Sequence, residues 1–151
     1  MQEFLGRATQ KASADLEASL LRLPENKRDW SPMGGARTAL DMVAECAIIN
    51  GSTVDLIQTR VFPADFDMAA FHQARAELSR AGDVLMSLLH ENAAKVAAVI
   101  EGVDENDLNA EVSMPWGPMT LAQVMAYPYW NMSYHEGQIN YIASLLAPNA
   151  E

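Results

Sequence analysis

Apolar side chains return every three or four residues through most of this chain, and no comparably long stretch alternates apolar with polar. Leu5, Ala8, Ala12, Leu16, Leu20 and Leu23 follow that spacing, which stacks them on one face of an α-helix. A first helix is therefore predicted from about Gln2 to Leu23, stopping where Pro24 disfavours α conformation in the residue before it. A connection from Pro24 to Arg37, with Pro32 and the Gly34-Gly35 pair, leads to a second helix. Thr38 can cap that helix, with Asp41 three residues on. Ala39 to Ile49 is apolar nearly all round except at Asp41 and Glu45, and the helix is expected to pass the weak Asn50-Gly51 point and reach about Thr59. Asp67 should cap the longest helix, running to about Val103. Phe71, Leu78, Leu85 and Val99 fall there on a seven-residue beat, with Asn92 its polar member. After a long irregular connection from Glu105 to Pro118, with room for a short hairpin around Val112 to Met119, the last helix opens at Thr120, where Gln123 completes a capping box. It should run to about Leu146, with Pro128 inside it and Pro148 beyond its end. Four such helices predict an all-α chain, an antiparallel four-helix bundle forming a single domain over residues 1–151.

Charge narrows the partners. The formal net charge is −10, and the ten basic residues all lie between Arg7 and Lys95. Nucleic-acid binding draws its affinity from Lys and Arg neutralising phosphates, and anionic membranes draw on the same groups. Neither partner is expected. No apolar run approaches the ~18 residues that cross a bilayer, and the first residues lack the pattern of a signal peptide. A lone cysteine, Cys46, cannot form an internal disulfide. The expected location is the cytoplasm.

Two segments carry a resemblance. The first is LPENKRDWSPMGGARTALDMVAEC, from Leu23 to Cys46; the second is MPWGPMTLAQVMAYPYWNMSYHEGQINYI, from Met114 to Ile142. Together with the order and lengths of the helices, they resemble the DinB-like family over nearly the whole chain. In that family an "LP…W.P" segment ends the first helix, and a histidine follows about fifteen residues after the tryptophan. Fifteen residues after Trp30 stands Glu45. The family's last helix carries His, three residues, His, any residue, Gly, Gln; here those positions hold Asn131, His135, Gly137 and Gln138.

The resemblance implies a metal site of three histidines, one on the second helix and an i,i+4 pair on the last, since that pair projects from one helical face. Three protein ligands leave an open position for water or a thiol substrate, and some family members are metal-assisted transferases acting with low-molecular-weight thiols. This chain keeps only His135. Glu45 is a competent ligand, whereas the Asn131 amide is a poor one for zinc. The implied ligands are thus His135, Glu45 and Asn131, with Gln138 placed to orient His135.

Each of these residues also has a plainer reading. Asp41, Glu45 and Ser52 can form a solvated stripe, His135 can be a hydrogen-bonded core histidine, and Gln138 a packing amide. If Glu45 and His135 face one another they can share a proton in place of a metal. Cys46 points about 100° away from Glu45 around the helix and reads as a small buried hydrophobe. His72 and His90 read as solvent-facing, and the aromatics Trp30, Trp116, Trp130, Tyr127, Tyr129, Tyr134 and Tyr141 mostly as packing, with one or two walling a pocket. No glycine-rich phosphate loop, paired-cysteine zinc motif or serine-hydrolase elbow is present.

Three functions follow. The leading one is a small polar pocket around Glu45, Asn131, His135 and Gln138 that binds an unknown small molecule with no tightly bound cofactor. The second is an enzyme of thiol transfer or related chemistry, using a divalent metal such as zinc or nickel. The third is a structural or dimerising protein whose site has decayed. A homodimer is expected in each case.

Overall fold

The computed structural model describes residues 1–147. It is mostly helical, in the order α1 (Gln2–Leu21), α2 (Ala39–Thr59), α3 (Met68–Leu78), α4 (Asp83–Glu101) and α5 (Leu121–Leu146). A two-residue hairpin, β1 (Glu111–Val112) with β2 (Met119–Thr120), precedes α5, Val112 pairing with Met119.

The predicted starts follow from local chemistry. Thr38 Oγ1 accepts a hydrogen bond from the Asp41 amide at 3.2 Å. Asp67 Oδ1 accepts from the Ala69 amide at 2.8 Å. Thr120 and Gln123 exchange both bonds of a capping box, at 3.2 and 2.8 Å. The first helix ends at Leu21, two residues early, because Leu23 precedes Pro24; Leu23 is nonetheless buried. Helix α2 passes Asn50-Gly51 without a break and stops at Arg60, whose φ of 60° is left-handed. Pro128 lies within α5, as expected, while Pro148 is outside the described residues.

The single long helix predicted from Asp67 to Val103 is instead two, α3 and α4. The break falls at Ser79–Gly82, where Gly82 takes φ +57° and ψ −125°, a conformation that L side chains avoid. A glycine inside a seven-residue beat is compatible with a helix in sequence, so the pattern alone did not reveal the turn. Leu85 is buried, but Phe71, Leu78, Asn92 and Val99 on the same beat are only half-buried.

Helices α1 and α2 each pack against both α4 and α5, while α3 rests on α2. One buried cluster joins Leu16, Leu20, Val43, Leu89, Met132 and Ile139; a second joins Leu5, Ile57, Val96, Ile100, Leu121 and Met125. The connection before α5 is fastened by backbone bonds from Leu121 to Ala110 and from Ala122 to Leu108. Among the described residues no helix is long and apolar enough to cross a membrane.

Gly51 of α2 faces the Asn92 side chain of α4. A Cβ there would lie 2.7 Å from Asn92 Nδ2, which donates to the Ala47 carbonyl at 2.9 Å. Gly51→Ala should therefore destabilise the protein by about 1 kcal/mol despite its better helix propensity. In an Asn92→Ala background the same exchange should stabilise, by up to about 1 kcal/mol. Urea denaturation of the four members of this double-mutant cycle measures both signs.

Candidate functional site

Thr38 sets the start of α2, which places Asp41 and Glu45 one turn apart on the same face. That face meets α5 at His135 and α3 at Arg75. His135 Nε2 lies 3.0 Å from Glu45 Oε1, and its Nδ1 lies 2.7 Å from Gln138 Oε1. His135 is 4% exposed and the Glu45 side chain 15%. Sequence reasoning paired these three residues, and the structure brings them together.

Asn131 does not join them. It is buried one turn before His135, and its Nδ2 donates to Cys46 Sγ at 3.5 Å. The Cys46 thiol is buried as expected, and burial pushes its pKa far up, aided by the Glu45 charge, so it stays protonated and is a poor nucleophile. Of the stripe Asp41, Glu45 and Ser52, only Ser52 is exposed.

Two arginines that the sequence did not single out complete the cluster. Arg37 Nη1 lies 2.7 Å from Glu45 Oε2, and its Nε donates to Asp41 Oδ2 at 2.5 Å. Arg75 Nη1 donates to Glu45 Oε2 at 3.2 Å. Arg75 Nε lies 2.7 Å from Asp41 Oδ1 but off the hydrogen-bonding direction, so that contact is ionic and the N–H is left without an aligned acceptor. The i,i+4 spacing of Arg37 and Asp41 is a signal the sequence contains. Arg75 has none, because α3 read as part of a longer helix.

Burial disfavours the Glu45 carboxylate, but the hydrogen bond from His135 and the charge of Arg37 outweigh it and hold the pKa at about 2, below the ordinary 4.5. Glu45 is therefore ionised, and His135 must present a proton on Nε2. The remaining ring nitrogen, Nδ1, faces an amide that can accept from it or, turned over, donate to it. The hydrogen bond between Nδ1 and Gln138 can therefore run in either direction.

The donor set does not fit a tightly held divalent metal. Glu45 Oε2 already carries two guanidinium groups, which repel a cation, and Asn131 is turned towards sulfur. Among the described residues no group of three or more His, Cys, Asp or Glu side chains could hold a metal ion.

His72 is exposed, and His90, also exposed, ties α4 to α1 through Ser13 at 3.3 Å and Glu17 at 3.0 Å. An apolar cleft of about 270 Å³ lies beside the cluster, between α2, α3, the hairpin and the start of α5. Ile48 and Ile49, just beyond Glu45, line it, as does Tyr127, whose phenol is pushed up by burial and by the Glu45 charge. A larger groove of about 660 Å³ between α1 and α5 is solvent-facing, and its Arg7 pairs with Glu3 along the same helix. It contains none of the cluster residues, and its Lys11 pairs with Asp15 along the same helix.

No family model matches this chain, and a search of curated proteins finds no matching relative.

Because the Glu45 pKa is lowered, its stabilising contribution is complete above the ordinary 4.5 and is lost as pH falls towards 2. The shift corresponds to about 3 kcal/mol. Unfolding free energies measured by urea between pH 6 and pH 2 (roughly the acid limb of such profiles) should fall steeply over that window. Glu45→Gln should lower stability at neutral pH and flatten the acid limb.

Proposed function

We propose that this chain is a DinB-like four-helix bundle, with α3 as an appended helix, that binds a small molecule at the Glu45–His135–Gln138 cluster without a tightly held metal. The observation that carries this reading is the division of the Glu45 carboxylate: one oxygen on His135, the other on Arg37 and Arg75. Guanidinium groups then supply the positive charge that a metal would bring to a carboxylate. They also leave His135 Nδ1 and Gln138 as groups able to change hydrogen-bonding sense around a ligand. The neighbouring apolar cleft offers the shape-selective part of such a site.

Protein purified without chelator and dialysed extensively should hold well below one equivalent of zinc or nickel. A panel of neutral and anionic metabolites, screened by thermal shift, should contain a ligand that raises Tm in the parent protein and not in His135→Ala. Retention of close to one equivalent of metal would overturn this reading in favour of metal-assisted thiol transfer.

A homodimer is part of the same proposal, supported by the outer face of α5. Trp130, Tyr134 and Tyr141 are exposed there, the first two stacked at 5.5 Å, and Gly137 between them and Tyr141 has open space above it. Glu136 is the helix's one carboxylate, and α5 has no Lys or Arg, so two such faces can meet with little charge repulsion. Light scattering at micromolar concentration should give twice the 16.5 kDa chain mass, and Tyr134→Glu should return it to one.

A further inference from the structure

Helix α3 is held unlike the other four. None of its residues is buried, and it rests on α2. Leu78 packs half-buried against the core, and the Arg75 guanidinium reaches Asp41 and Glu45 on α2. Both flanks contain left-handed backbone, at Arg60 with φ 60° and at Gly82 with φ 57°. Arg60 ends α2 and Gly82 stands before α4, so α3 is separated from both neighbouring helices by non-helical chain.

Beneath α3 lies the apolar cleft, with Ile49, Leu56, Phe66, Phe71, Trp116 and Tyr127 among its walls. Among the described residues no carboxylate or basic side chain lines it; its polar groups are Ser52, Thr53, the Tyr127 phenol and the Trp116 indole N–H. Phe66, Met68 and Trp116 are 44%, 55% and 68% exposed, an unusual amount of large apolar surface to leave in water around one opening. Phe62 meets Phe66 and Trp116 edge-on, at 5.1 and 5.8 Å, so the aromatic wall spans the loop after α2 and the hairpin. Arg75 joins cleft and cluster: its guanidinium carbon sits 5.8 Å from the Phe71 ring centroid while its nitrogens hold the α2 carboxylates.

We propose that this cleft is a binding site for an uncharged, largely apolar small molecule, and that α3 is its lid, latched by Arg75 on Asp41 and Glu45. The lining decides the ligand's chemistry. A charged group would be desolvated there without a counter-charge, whereas an aromatic or aliphatic body would cover the exposed rings and gain by its area. The ionic latch decides access, since two partly buried ion pairs to α2 must part, together with the half-buried packing of Phe71 and Leu78, before the helix lifts. The inference rests on the reading that this end of the molecule takes a small ligand, and it adds the ligand's class and route of entry.

The test uses N-phenyl-1-naphthylamine, an uncharged dye whose fluorescence rises in apolar surroundings, with the full chain. Saturable binding at one equivalent is expected. Ser52→Trp, at an exposed position on the cleft wall, should weaken it at least tenfold with the circular dichroism spectrum and Tm retained. Arg75→Ala should raise the dye's dissociation rate several-fold and increase hydrogen exchange over Met68–Leu78, and Arg75→Lys should restore part of both. Non-saturable dye binding, or an affinity unchanged by Ser52→Trp, overturns the cleft. Dissociation and exchange unchanged in Arg75→Ala overturn the lid. His135→Ala separates this proposal from the preceding one: dye affinity retained in that variant, with Ser52→Trp still disruptive, upholds the cleft even where the polar cluster binds nothing.

Discussion

A carboxylate set into a helical interior needs compensation on both oxygens, and around Glu45 that requirement governs how four separate segments meet. Oε1 is taken by His135 of α5, Oε2 by Arg37 from the connection before α2 and by Arg75 of α3. Desolvation alone would drive Glu45 towards its neutral form. The hydrogen bond from His135 and the charge of Arg37 reverse that, and the retained charge holds its partners in place. Asp41, one turn earlier, doubles the arrangement by pairing with both arginines. Removing one member would leave a partly buried charge with less compensation, which destabilises the fold.

This compensation also shapes the chemistry available. In a site with an open metal, carboxylate and imidazole donors point at a vacant centre and polarise whatever enters it. Here the donors point at one another. What remains adaptable is the outer side of His135, where Nδ1 meets the Gln138 amide. That pair can respond to a hydrogen-bonding group, while the Cys46 thiol, deeply buried and held protonated, is a poor nucleophile.

Stability is distributed unevenly around this centre. Leu16, Val43, Leu89 and Ile139 are fully buried between the long helices, and such residues set the cost of global unfolding. Helix α3 has no fully buried residue; Leu78 packs half-buried against the core and Arg75 pairs with the α2 carboxylates. The least buried helix thus lies beside the apolar cleft, on the side of the molecule that carries the polar cluster.

How much of this could be read without a structure depended on range. Helix starts at Thr38, Asp67 and Thr120 were legible because a cap is a contact between residues two or three apart. The meeting of Glu45, His135 and Gln138 was legible through a motif and an offset from Trp30, though Asn131, read as their companion, turned to Cys46. The break at Gly82 was not legible, because a seven-residue beat runs on through a glycine whose positive φ no pattern displays. Nor was Arg75, which reaches Glu45 across thirty positions of sequence only because that break frees α3 to fold back onto α2. Short-range chemistry, the periodicity and the caps, determined which residues form helices. The fate of the Glu45 charge was decided by tertiary structure, since a carboxylate's ionisation is set by every charge within a few ångströms, whatever its distance along the chain.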